Sequence, residues 1–234
     1  MPPKQIKQSY SSAAEQLIDA GEELYGLYGL EGVSLRRIGQ HAGMSNNYAV
    51  QYHFGDAAGL IKAIVNHRAP KLEQARIRRL RELRKQGPLT TRMLFDALLT
   101  PTLDLVNMAG ERTFARFNLA LCNTPSGVPH LVELRPKLLA SAEIIHLIKE
   151  ENPHLSVALA AERVRLAANM FLSSVFTRYP HLDREALDQD LIDNALDMAG
   201  AAVGAPVGAY GPRISKAIES LGPVDEVVPC VSPQ

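Results

Sequence analysis

Apolar residues recur along this chain every three to four positions, and alternating strand-like runs are missing. That spacing lines one side of a helix, so the pattern predicts helices almost throughout. A first helix begins at the capping box Ser12-Ala-Ala-Glu15, whose side chains satisfy free backbone N–H groups reciprocally. Its positions Ala14, Leu17, Ile18, Gly21, Leu24, Tyr25 and Tyr28 share a face, and Gly29 and Gly32 end it. Ser34 starts a short second helix with Leu35, Ile38 and Ala42 inward, and Gly43 closes it. A third carries Ala49, Val50, His53 and Phe54, and Gly55-Asp56 opens a fourth. Longer helices are predicted at 70–86, 89–107, 110–122, 131–151, 155–178 and 184–203. Pro70 and Pro101 lie inside apolar patterns, where a kink or a new helix start is expected.

The last two long helices differ from the rest. Val157 to Phe176 is apolar nearly all round, which requires burial on every side. The next carries two adjoining stripes, Leu187/Leu191/Ala195/Met198/Ala202 and Ile192/Leu196/Ala199/Val203. Both can lie in the core of one bundle. Alternatively they form an isologous homodimer interface in a four-helix arrangement, with Val164, Phe171, Leu191, Ala195, Leu196 and Ala199 at the contact. The expected fold class is all-α, with an N-terminal three-helix domain and a C-terminal helical bundle that dimerises. The expected divisions are an arm over 1–10, the three-helix domain over 11–66, the bundle over 67–210 and a loose Gly/Pro/Ser-containing tail over 211–234.

Composition changes the picture in one respect. The chain has 234 residues, 46% of them apolar and 21% charged, enough to bury a core without disulfides or metals. Lys and Arg number 25 against 25 Asp and Glu, and a neutral total argues against a polyanionic partner only if the charge is evenly spread. It is not: residues 1–85 carry 13 bases and 8 acids, a net of +5, and the remainder a net of −5. The excess itself is concentrated between Lys62 and Lys85, with nine bases and two acids, while residues 1–56 are slightly acidic at −2. Cys122 and Cys230 form no metal-type spacing and read as reduced thiols. The start lacks an apolar signal core, and the weakly apolar stretch Met198–Ala209 is short, so the expectation is a cytoplasmic protein with no membrane partner.

The informative segment is VSLRRIGQHAGMSNNYAVQYHF, Val33 to Phe54. Two short helices separated by a Gly-containing turn form a helix-turn-helix, whose second helix can enter a DNA major groove. Leu35, Ile38, Ala42, Val50 and Phe54 make an internal face and leave Asn46, Asn47, Tyr48, Gln51 and Tyr52 for the other. Asn and Gln can bond adenine edges bidentately, and hydroxyls and amides can bond phosphate. An idle solvated face carries Lys and Glu more often than amides and tyrosines.

Residues 12–64 resemble the DNA-binding domain of the TetR family of transcriptional regulators. The resemblance is carried by Ala14–Leu27, by Gly29-Leu-Glu-Gly-Val-Ser-Leu-Arg-Arg-Ile38, by Ala42-Gly43, and by Tyr52-His-Phe-Gly55 leading into Leu60-Ile61. Beyond residue 64 the likeness is one of architecture only. The resemblance implies a homodimer that binds a near-palindromic double-stranded operator, acting as a repressor that a small effector releases. It implies phosphate contacts at Ser34, Arg36 and Tyr52, with Arg37, Ser45 and Asn46 nearby, and base contacts at Asn47, Tyr48 and Gln51. Gly43–Phe54 is one residue longer than the commonest family pattern, which leaves Ser45 or Asn46 as the third helix's cap, and Ala57 stands where many relatives carry Lys.

For the effector, Phe95, Phe114, Phe117, Phe171 and Phe176 are candidate apolar walls, with Arg116, Asn118, His146 and Asn169 as polar groups, unless the aromatics simply fill the core. Lys71, Arg76, Arg78, Arg79, Arg81, Arg84 and Lys85 offer a second DNA contact or, as the commoner case, a solvated face. His130 and Glu133 have no partner pattern, and Gly204, Gly208 and Gly211 follow no strand, so no catalytic, metal or cofactor site is expected. The rival reading is a helical partner-binding or structural protein without DNA affinity, which leaves Asn46 to Tyr52 unexplained.

Overall fold

The computed structural model describes residues 10–124, 138–178, 188–208 and 211–219, and among these every regular element is a helix. In chain order they are α1 (Ser12–Tyr28), α2 (Leu35–His41), α3 (Ala49–Phe54), α4 (Ala57–Arg84) and α5 (Thr91–Leu103). They continue with α6 (Thr113–Asn123), α7 (Leu139–Glu151), α8 (Val157–Arg178), α9 (Gln189–Gly204) and α10 (Gly211–Glu219). The cap of α1 lies one residue before the expected capping box. Ser11 has the extended backbone a cap needs, and its Oγ accepts the Ala14 N–H at 3.3 Å, so Ser12 is already helical.

Between α3 and α4 the chain turns at Gly55, whose φ of +82° lies in the left-handed region. Asp56 then caps α4 by accepting the Gly59 N–H at 2.7 Å. From there α4 runs for 28 residues, about 42 Å at 1.5 Å per residue. It passes through Pro70 without a break, so the separate helix expected from residue 70 is the second half of α4. Pro70 faces solvent, where the ladder bond it removes costs least. A domain boundary at 66/67 would fall in the middle of this helix.

The buried apolar residues form two clusters. One joins Leu17, Ile18, Leu24 and Tyr25 of α1, Ile38 of α2, Ala49 and Val50 of α3, and Leu60, Ile64 and Leu72 of α4 with Phe114, Phe117 and Leu121 of α6. The other joins Leu80 and Leu83 of α4, Phe95 and Leu98 of α5, Ile144 and Ile148 of α7, Val164, Phe171 and Val175 of α8, and Ile192, Leu196 and Val203 of α9. We call the first the head and the second the body. Their division passes through α4 between Leu72 and Leu80, and α6 adds its aromatic residues to the head.

Buried polar groups fasten the body. Glu73 accepts the Ala140 and Ser141 N–H groups at 2.6 and 3.3 Å, so a carboxylate of α4 caps α7, which has no side-chain cap of its own. Arg76 pairs with Glu73 at 3.1 Å and donates to the Leu98 carbonyl and the Ser141 hydroxyl at 2.9 and 2.6 Å. Arg163 of α8 donates to the carbonyls of Val203 and Pro206 at 2.7 and 3.4 Å, placing a cation at the negative end of α9.

Two expectations are corrected here. Val164, Phe171, Ala195, Leu196 and Ala199 are buried inside the single chain, because α9 packs on α5 and α8 of the same molecule; they present no surface to a second copy. Of the six residues expected at a dimer contact, only Leu191 is half-exposed. The tail is not wholly loose, since residues 211–219 form α10, which packs on α8 with the Ser215 and Ser156 hydroxyls bonded at 2.9 Å. Leu187, Cys230, His130, Glu133, residues 1–9 and residues 220–234 lie outside the described residues.

Arg76→Ala removes a buried cation from the partly buried Glu73 carboxylate and should cost about 3–5 kcal/mol in urea unfolding. Arg84→Ala breaks an exposed pair with Glu143 and should cost below about 1 kcal/mol. Equal losses would contradict this assignment of the buried pair.

Candidate nucleic-acid interface

Ile38, Ala49 and Val50 anchor α2 and α3 in the head core, which fixes what the two helices turn outward. Ser34 caps α2, its Oγ accepting the Arg37 N–H at 3.2 Å, while its own hydroxyl proton remains available to a phosphate. Arg36 and Arg37 are both exposed. The Arg37 guanidinium sits 4.1 Å from the centre of the Tyr28 ring, a cation–π contact that steadies it at the end of α1.

The turn before α3 answers the question of the cap. Asn46 Oδ1 accepts the Tyr48 N–H at 2.9 Å and its carbonyl accepts the Ala49 N–H at 3.2 Å. Neither Ser45 nor Asn46 is the cap residue; Tyr48 holds that position and makes no side-chain bond there. This Asx turn leads directly into α3, which is six residues long. Asn46 therefore keeps its amide N–H groups, rather than its oxygen, for any outside partner.

Ser45, Asn46, Asn47, Tyr48, Gln51 and Tyr52 are all exposed, and Tyr48 and Tyr52 are 71% and 83% accessible. Two large aromatic rings standing in water beside three amides have no role in packing this chain. His53 meets the Tyr52 ring edge-on at 5.1 Å, which orients that tyrosine. Tyr28 and His53 were not among the expected site residues. Their signal was available in the sequence as an aromatic at the end of an apolar face and a histidine beside a tyrosine.

The slight acidity of residues 1–56 does not reach this face intact. Glu22 is buried and bonded to Arg68 at 2.7 Å, and Asp19 pairs with the same arginine at 2.9 Å. Glu23 bonds His41 at 3.0 Å, and Asp56 is turned to the start of α4. The basic run on α4 divides similarly. Arg76, Arg79 and Arg84 are paired with Glu73, Asp96 and Glu143, while Lys71, Arg78, Arg81 and Lys85 face solvent.

The residues expected around an effector do not surround one cavity. Phe95 and Phe171 fill the body core, Phe114 and Phe117 fill the head core, and His146 lies on the surface 3.3 Å from Glu150. Their apolar bulk closes two separate cores instead of walling a chamber. Arg116 and Phe176 do meet, with the guanidinium 5.4 Å from the ring centre. Both line an open groove of about 330 Å³ with Gly26, Gly29, Leu119, Ala120, Asn123 and Thr124. Asn169 bonds Asn123 at its edge, whereas Asn118 does not line it. Among the described residues no group of three or more His, Cys, Asp or Glu is placed to hold a metal ion, and no helix is long and apolar enough to cross a membrane.

Tyr48→Ala, Gln51→Ala and Tyr52→Ala should each change unfolding free energy by less than about 0.5 kcal/mol, because their side chains support nothing in the fold. Val50→Ala should cost at least about 1 kcal/mol in the same unfolding measurement. Large losses from the exposed trio would make them structural and end their candidacy.

No family model and no curated protein matches the chain. Among solved structures it is similar to a transcriptional regulator from Rhodococcus sp. Rha1, at 23% identity over 82% of this chain and 96% of that one, with a TM-score of 0.49.

Proposed function

We propose that the chain is a sequence-specific DNA-binding transcriptional regulator of the TetR type, a cytoplasmic homodimeric repressor. The observation that carries the reading is the outward face of α3 and its turn. There Asn47, Tyr48, Gln51 and Tyr52 are exposed while Ala49 and Val50 are locked into the core. In this reading Asn47, Tyr48 and Gln51 address base edges from the N-terminal part of the recognition helix. Ser34, Arg36, Arg37, Ser45, Asn46 and Tyr52 bond the flanking phosphates.

A dimer supplies two such heads, and two-fold symmetry then calls for a near-palindromic operator with half-sites about one helical turn or a multiple apart. The surface that suits dimerisation is the outward side of α8 and α9, not their buried stripes. Leu166 and Met198 are 52% and 46% exposed, and Leu191 and Met170 are half-buried beside them in sequence register. The groove at α1, α6 and α8 is the opening that suits a small, largely apolar effector, with Phe176 and Leu119 as apolar wall and Arg116 and Asn123 as polar anchors. Such a ligand acts by binding the head position that cannot engage the operator more tightly than the one that can.

Selection from a randomised duplex library followed by anisotropy titration tests the reading. Specific binding should weaken steeply between low and high salt, and Gln51→Ala and Tyr48→Ala should each lose about tenfold or more of specific affinity. A chain that enriches no sequence is the helical partner-binding protein instead. Leu166→Glu with Met198→Glu should convert the dimer to monomer in sedimentation without loss of helicity; a wild type that is already monomeric removes the two-head arrangement.

A further inference from the structure

Charge on the second half of α4 is sorted by direction. Arg76, Arg79 and Arg84 are held by Glu73, Asp96 and Glu143 of the body. Lys71, Arg78, Arg81 and Lys85 are exposed. At 3.6 residues per turn they fall within about 80° of arc, on the side opposite buried Leu72, Leu80 and Leu83. Residues 71–85 contain two acids. Glu73 is taken up by Arg76 and α7, and Glu82, at the edge of the stripe, lies 3.8 Å from Arg79. A face that serves solubility alone mixes both signs, whereas here four bases meet one acid.

Reach decides where a polyanion on this stripe would lie. Helix α4 starts at the turn that leaves α3, so Lys71 stands about 21 Å and Lys85 about 42 Å along it at 1.5 Å per residue. Charges in solvent are screened over about 8 Å at physiological ionic strength. A duplex held at α3 therefore gains nothing from these four charges.

The chemistry of the face selects the kind of partner. Protein interfaces centre on apolar or aromatic anchors, and the large apolar side chain exposed along residues 71–85 is Ile77, at 36%. A lipid surface takes up the apolar side of a helix, and that side of α4 is already packed in the two cores. Single strands call for aromatic side chains on which bases stack, and residues 71–85 contain none. The phosphates of a duplex need only guanidinium and ammonium groups.

We infer that Lys71, Arg78, Arg81 and Lys85 form a sequence-independent binding face for the phosphates of a second nucleic-acid duplex, separate from any duplex that α3 engages. One chain then holds two duplex segments at once, one at the head and one along the body. The grip of the stripe does not depend on the reading of α3.

The test titrates the full chain against a labelled duplex of random sequence, by anisotropy over a range of salt. R78Q/R81Q should lose about tenfold of affinity at low salt and flatten the log–log salt slope by about 2, since each phosphate contact contributes about −0.9. R78K/R81K keeps the charge and should retain most of the affinity; a loss equal to that of the Gln pair overturns the phosphate contact. R213Q/K216Q removes the same charge from exposed positions of α10 and should change little. Equal losses in the two Gln pairs, or none in R78Q/R81Q, overturn the face. Capture of a free duplex by protein on a bead-bound duplex reads the bridging directly. The wild type should retain the second duplex and R78Q/R81Q should release it; no retention by the wild type, or retention by that variant, overturns the proposal. Binding of polyglutamate or of phosphatidylserine vesicles that depends on Arg78 and Arg81, where duplex binding does not, assigns the stripe to an acidic protein or a membrane instead. Failure to enrich any sequence strikes the reading of α3 alone, because binding to the random duplex is measured without it.

Discussion

A helix that buries its first half in one core and its second half in another must keep both faces in register along its whole length. That constraint falls on α4, with Leu60, Ile64 and Leu72 in the head and Leu80 and Leu83 in the body. The ionic pairs are distributed accordingly. Arg68 reaches back to Glu22 and Asp19 in the head, whereas Glu73 and Arg76 reach into α7 and α5. Pro70 lies between the two sets on the solvent side. A proline there removes one ladder bond on the exposed side of α4, while the packed faces on either side keep the helix continuous.

The pair α8 and α9, whose core residues lie in the body, obeys a different rule. Each must satisfy its own chain before it can offer anything to another. Ile192, Leu196, Ala199 and Val203 meet that internal demand, and what remains outward is the narrower strip of Leu166, Leu191 and Met198. Arg163, bonded to the carbonyls that end α9, holds the two helices at a fixed level, so the outward residues keep a constant arrangement.

Much of the helical plan was legible from spacing alone. The apolar face of α1, the inward set Ile38 and Val50, and the exposure of Asn47, Tyr48, Gln51 and Tyr52 follow from a period of 3.6. What spacing could not supply was which core each apolar face enters. Phe114 and Phe117 looked like candidates for a chamber with Phe95 and Phe171, yet they enter different cores, because the partner of an apolar stripe is chosen in three dimensions. Likewise Ala195 and Leu196 are apolar for their own chain's sake. The ties of Glu22 to Arg68 and Thr113 join residues 46 and 91 positions apart, beyond any local pattern. Asn46 misled in a subtler way: an Asx turn and a helix cap ask for the same residue type, and only the backbone distinguishes them.

The placement of charge in the head separates grip from shape. Glu22 and most of Arg68 lie where dissolved ions do not penetrate, whereas Arg36 and Arg37 stand in open solvent. Ionic strength therefore acts on the second set and scarcely on the first, since screening weakens exposed charges far more than buried pairs. In the DNA-binding reading proposed above, a rise in salt shortens the distance over which the head feels a polyanion and leaves the scaffold that positions α3 intact. Release in that reading requires no unfolding, so dilution of the ions restores the same head unchanged.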